Sequence, residues 1–385
     1  MNRQIRQSAQ PPFLRLPGRS RGALALRGLI LILICLLVLT ACSGGGETVV
    51  DEPPPEETPA LPEVTPEPET PPEPSDPREA IDLSLAPNEA GQIMVLMYHN
   101  IGEPEDEWVR TPDNFRRDLE VLYEEGYRPI RLKDFVAGHI TTEAGYTPVV
   151  ITFDDANLNN FNVLEDGTID PDSAFGILKD FGRDHPDFPL HVSFFADGSN
   201  PFRQPELLEW KIEQILAAGM DIGNHTQGHQ NMTHSTAEEV QFYIGAQARF
   251  LESLIDDPDY RVNTLALTYG IRPRDESLHK YLESGVYEGF SYQNVAILNV
   301  GWNPAHSPFD DRFNPMSIPR IRASEMKVDN VGMYNYLEFF RNNPGQRFIS
   351  DGQPDVITVP EHLADRIEGY DGDRIVYIYE PEEEQ

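Results

Sequence analysis

Residues 147–156, TPVVITFDDA, decide how this chain folds. Thr147–Phe153 is a short, almost wholly apolar run, which suits a strand covered on both faces, as strands are in parallel sheets. Two carboxylates, Asp154 and Asp155, follow at once. Working outward, the pattern recurs: IMVLMYH (93–99) lies before it, and LHVSFF (190–195), MDIGN (220–224) and NTLALTY (263–269) lie after. Amphipathic stretches separate these runs. TPDNFRRDLEVLYEEG (111–126) predicts a helix, with Thr111 as cap, Pro112 in the first turn and Phe115, Leu119 and Leu122 on one face. PELLEWKIEQILAAG (205–219) and TAEEVQFYIGAQARFLESLI (236–255) predict two more. Buried strands alternating with helices mean a parallel α/β architecture. A barrel form fits, and in barrels chemistry is built at the C-terminal ends of the strands.

Polar clusters stand where these strands end. Asp154 and Asp155 are adjacent carboxylates, costly to bury together unless positive charge lies beside them. MDIGNHTQGH (220–229) ends a second strand in His225 and His229, four apart, so that one helical turn would put both imidazoles on one side. Two His and a carboxylate form a familiar divalent-metal triad with positions left for water. Taken singly, a strand-end Asp pair also suits a helix cap, and two His four apart also suit a solvated surface.

The combination TFDDA (152–156) with NHTQGH (224–229), preceded by VLMYHNI (95–101), resembles the polysaccharide deacetylase family, the NodB-homology or carbohydrate esterase 4 group. The resemblance runs from about Gln92 to Arg322 and includes HVSFFADG (191–198). It implies a distorted TIM-like (β/α) barrel and metal-dependent removal of N-acetyl groups from polysaccharide. By motif position it implies Asp154 as general base and Asp155, His225 and His229 as metal ligands. Zn²⁺ is the default ion for such a set, with Co²⁺, Ni²⁺ and Mn²⁺ also fitting. Arg320, in SIPRI (317–321), corresponds to an Arg of many relatives that steers the base carboxylate.

The sequence departs from the family pattern in three places. Ala156 replaces the usual Gly, still a small residue for a tight strand exit. The third motif survives only as LTYGIRPRD (267–275), where Tyr269 and Gly270 either offer an oxyanion-binding backbone N–H or form a plain turn. The late motif carrying an acid His is missing. His306, in LNVGWNPAHSP (298–308), is the nearest candidate acid, or else a loop residue; His99 ends the first strand and is expected to hydrogen-bond inside the barrel mouth. Loops such as Asp166–Asp187 and Ala305–Asn314 are expected to set glycan choice. Peptidoglycan, chitin-like oligomers and poly-N-acetylglucosamine are the open substrates. Two other readings use the same site: a catalytically silent glycan-binding protein, and an O-acetyl polysaccharide esterase.

The ends of the chain concern location. The first 41 residues combine six Arg, no acidic residue and the apolar run GLILILICLLVLTA (28–41), ending at Cys42. The run is well short of the roughly 20 residues that span a bilayer. It reads as a signal peptide, and LTAC (39–42) resembles the lipobox of bacterial lipoproteins, which implies lipidation of Cys42 and an extracytoplasmic, membrane-anchored protein. Residues 42–88 are rich in Pro, Glu and Thr and are expected to form a disordered tether before the enzyme domain at 89–385. The formal net charge of -34 argues against a nucleic-acid partner, since phosphate binding needs Lys and Arg. A neutral N-acetylated glycan meets no such barrier.

Overall fold

The structure is a computed structural model and describes residues 76–381. Cys42, the expected signal peptide and residues 42–75 of the expected tether lie outside the described residues. Residues 76–88 take two short 3-10 turns, Pro77–Ala80 and Leu83–Leu85, capped by the Asp76 and Asp82 side chains. Tyr379, near the other end of the chain, donates its hydroxyl to Pro87 O at 3.0 Å.

One parallel sheet organises the rest. Its strands are β1 (Met94–Tyr98), β2 (Tyr127–Pro129), β3 (Thr147–Phe153), β4 (Val192–Ala196), β5 (Asp221–Asn224), β6 (Thr264–Ala266), β7 (Ala296–Leu298) and β8 (Ile321–Arg322), seven of them in the order β7-β6-β5-β4-β3-β1-β8, with β2 off this path and paired to β3. All seven residues of β3 are buried, as its continuous apolar run predicts. β1 pairs along β3 from Val149 to Phe153, while on the other side β2 takes Thr147–Val149 and β4 takes Ile151–Phe153. The sheet then curls back on itself. Asn299 N–H donates to Ile318 O at 2.8 Å and Ile318 N–H to Ile297 O at 2.9 Å, beside β7, and a few residues on β8 pairs with β1. The result is a distorted (β/α) barrel.

Five principal helices cover it: α1 (Pro112–Glu124), α2 (Ala174–Asp184), α3 (Leu208–Ala217), α4 (Ala237–Glu252) and α5 (Met333–Asn342). α1 starts as its sequence predicts, with Thr111 Oγ1 accepting from Asn114 N–H at 3.2 Å and Pro112 in the first turn. Because side chains alternate along a strand, β1 and β3 feed two cores. Met94, Leu96, Val149 and Ile151 pack with Phe115, Leu119 and Leu122 of α1, whereas Val95 and Val150 join Phe195, Ala266, Leu298 and Ile318. Phe348, Ile357, Val359 and Leu363, from the end of the chain, complete this second core.

Some expectations need correcting. Asp166–Asp187 is not a loop throughout, because α2 occupies most of its second half, with Ser173 capping it through Gly176 N–H at 3.2 Å. Val356–Pro360, late in the chain, pairs in parallel with Ile375–Tyr379 outside the barrel sheet.

Candidate active site

The ends of β3, β5 and β6 and the residue before β8 converge on one point. Asp154 is the first residue past β3, fixed by its N–H on Tyr98 O at 3.0 Å. Its side chain is buried, and both carboxylate oxygens accept from Arg320, Nη1 to Oδ1 and Nη2 to Oδ2, each at 2.7 Å. Arg320 is itself fully buried, with Nε on Asn299 O at 2.9 Å. Burial would raise the Asp154 pKa, but the guanidinium, with help from His225, holds it below the ordinary carboxylate value. Asp154 therefore stays ionised although it has almost no contact with water.

Asp155 faces the two imidazoles. Its Oδ1 lies 3.5 Å from His225 Nε2 and 3.3 Å from His229 Nε2, and the three ligand atoms fall within 4.8 Å of one another. His225 Nδ1 lies 2.9 Å from Ala266 O, which fixes that nitrogen as the protonated one and turns Nε2 toward the carboxylates. Burial disfavours charge on His225, while the Asp154 and Asp155 carboxylates beside it raise its pKa. Asp155 Oδ1 is buried and has no hydrogen-bond donor. A divalent cation at this point would satisfy it, so the residues present fit such an ion.

The imidazoles meet by a route the sequence did not indicate. Residues 225–230 are not a helical turn; the chain reverses through positive φ at Thr226 (67°), Gly228 (78°) and His229 (51°). Asp155 (71°), Ala156 (45°) and Tyr269 (58°) share that conformation. Each non-glycine residue held there costs about 1–3 kcal/mol, and such strain clusters where geometry is needed for function. The Tyr269 ring stands edge-on to His229, centroids 4.6 Å apart, and is 61% exposed at the rim.

His306 is not brought to this point. Its neighbour Ala305 exchanges backbone hydrogen bonds of 2.8 and 3.0 Å with Ile93, just before β1, so His306 lies at the opposite end of the strands, beside Asp310 at 3.6 Å. β1 alone, at about 3.3 Å per residue, separates the two ends by roughly 16 Å. The loop Ala305–Asn314 is for the same reason no wall of the site. His99, at the near end of β1, does arrive: its Nε2 is 3.9 Å from Asp154 Oδ2, on a side chain that keeps 16% of its surface exposed. Burial lowers its pKa, partly offset by the two Asp. Its place directly after an apolar strand, within VLMYHNI (95–101), was the signal in the sequence.

Residues 142–284 match the family model described as polysaccharide deacetylase. Among solved structures, a polysaccharide deacetylase of Bacillus cereus overlaps 64% of this chain and 68% of its own at 17% identity, TM-score 0.48. The Streptococcus pyogenes deacetylase PplD, solved with acetate, overlaps 64% and 97% at 16% identity, TM-score 0.47. IcaB of Ammonifex degensii overlaps 61% and 93% at 18% identity, TM-score 0.43. No curated protein matches the chain significantly.

Proposed function

We propose that the chain is a metal-dependent polysaccharide N-deacetylase. The observation that carries this is the pairing, at one barrel mouth, of a ligand triad (Asp155, His225, His229) with a separate buried carboxylate, Asp154, that Arg320 keeps ionised. A site built only to hold a cation has no use for that second acid. The family match over residues 142–284 supports the same reading.

The triad would hold a divalent cation, which when bound supplies Lewis acidity toward the amide carbonyl and toward water. Asp154 is the base: it is ionised, excluded from the triad and pinned in orientation by two hydrogen bonds, ready to take a proton from an attacking water. His99 is the acid that hands a proton to the departing sugar nitrogen. Burial lowers the His99 pKa and makes the imidazolium a strong donor once protonated, while the Asp154 carboxylate 3.9 Å away offsets part of that lowering. Arg320 positions the base and touches no reacting atom.

The polymer would be an N-acetylated glycan of the cell wall or extracellular matrix, reached by a protein anchored through lipidated Cys42. Among the described residues no helix is long and apolar enough to cross a membrane. The anchor is tested by the mass of the mature N-terminal peptide, which carries acyl chains on Cys42 if the reading holds. The activity is tested by acetate release from N-acetylglucosamine polymers with and without chelator, beside Asp154→Asn. Chelator-sensitive release that disappears in the variant supports the deacetylase; a protein that binds metal and glycan but frees no acetate is the silent glycan binder instead. Faster release from O-acetylated xylan would favour the esterase.

A further inference from the structure

Two of the chain's three tryptophans stand together on the His99 side of the site, and no step above uses them. Trp108 packs against His99, ring centroids 4.7 Å apart, and Trp302 lies beyond it. The Arg322 guanidinium bridges the two, 5.1 Å from the Trp108 ring centre and 5.9 Å from that of Trp302. Arg322 is buried, donates to Glu107 Oε1 at 2.5 Å and also bonds Lys327 O, so its charge is matched and its position fixed. The tryptophans nonetheless stay open to solvent, at 39% and 53% exposure.

The backbone holds Trp302 close to the catalytic machinery. A Cβ on the preceding Gly301 would come within 3.0 Å of Arg320 N, so only glycine lets this loop lie against the residue that grips Asp154. The Tyr336 hydroxyl donates to Trp302 O at 2.6 Å and steadies the loop from α5. Large rings left exposed yet immobilised from behind are costly unless something covers them. Sugar rings present C–H faces that suit flat aromatic surfaces, and the nearest such rings would belong to the chain being deacetylated.

We propose that Trp108 and Trp302, wedged by Arg322, form a stacking subsite for the pyranose ring adjoining the one that loses its acetyl group. This rests on the deacetylase reading and narrows it: the substrate is a polymer or oligomer gripped by a neighbouring sugar, not a free monosaccharide. Recognition by ring faces, with the Arg322 charge already matched by Glu107, should also be insensitive to salt.

The test is intrinsic fluorescence of the full chain in detergent, titrated with N-acetylglucosamine and its two- to six-sugar oligomers. We expect a saturable emission change with oligomers, unaltered by 1 M salt, whose half-saturation concentration rises roughly tenfold or more in Trp302→Leu. Trp108→Phe, which keeps a ring against His99, should weaken binding less. Trp210→Phe, on α3, should bind as the parent does. Acetate release is followed in parallel: Trp302→Leu should raise KM for the tetramer by a similar factor with a much smaller change in kcat. Equal half-saturation in parent and Trp302→Leu, or no oligomer binding by the parent, overturns the subsite whether or not acetate is released. Trp302-dependent binding with no acetate release keeps the subsite and sinks the deacetylase.

Discussion

Arg320 and Asp154 share two parallel hydrogen bonds of 2.7 Å in a place where neither side chain meets water. Removing either partner of such a buried pair leaves a lone charge in a medium that solvates it poorly, at a cost of about 3–5 kcal/mol. Arg320→Met should therefore lower unfolding free energy by that order in urea titration. Adding Asp154→Asn to it should recover much of the loss, because the orphaned charge goes too. If the two losses simply add, the pair is not coupled as described.

A cation bound only by the folded protein stabilises it by mass action, about 2.7 kcal/mol at one hundred times its dissociation constant. Added Zn²⁺ should raise the melting temperature of the metal-free protein, and Asp155→Ala or His225→Ala should abolish the rise. This readout does not depend on turnover. An equal rise in both variants would place the ion elsewhere.

His99 and His306 can be told apart by leaving group. Loss of a general acid typically costs 10²- to 10⁴-fold when the departing atom needs a proton. His99→Ala should fall by about that factor on N-acetylated glycan, and far less on 4-nitrophenyl acetate, whose leaving group departs unprotonated. His306→Ala, at the far end of β1, should keep its rate on both substrates.

Glu89 is buried near Asp351, and burial followed by that neighbouring charge pushes its pKa well above the ordinary 4.5. The folded protein thus binds this proton more tightly than the unfolded chain does. Stability from this group is full below the unfolded value and is lost as pH rises through the folded one. Glu89→Gln keeps an acceptor for Thr358 N–H, 3.3 Å away, and carries no charge. The variant should be more stable than the parent at pH 8 and show a flatter decline between pH 5 and 8 in urea midpoints. A parent–variant difference that stays constant across that range would rule the effect out.

The parts of this molecule that were readable before its structure are those whose signal is local. β3 announces itself by seven consecutive residues buried on both faces, and α1 by a cap, a first-turn proline and one apolar stripe. β2 and β7 are three residues each, too short to show a period. The candidate ligand triad was legible as spacing, though the turn that delivers it was not, since positive φ at Thr226 and His229 leaves no mark in residue type. His306, read as a candidate acid or else a loop residue, proves the latter, because the pairing of its neighbour Ala305 with Ile93 is decided by topology. His99 was seen but undervalued, because no local pattern tells which strand-end side chain faces the base. Arg320 came from family resemblance alone.

The guanidinium that holds Asp154 comes from 166 residues further along the chain, and β8, directly after it, pairs back onto β1. A chain leaving the ribosome therefore carries both Asp154 and the histidines long before it carries the guanidinium that grips that carboxylate. Until then the Asp154 carboxylate lacks the buried counter-charge that holds its pKa down. Completion of this charge pair is thus tied to the last stitch of the barrel, so a chain truncated before Arg320 would leave Asp154 as a buried acid without its cation.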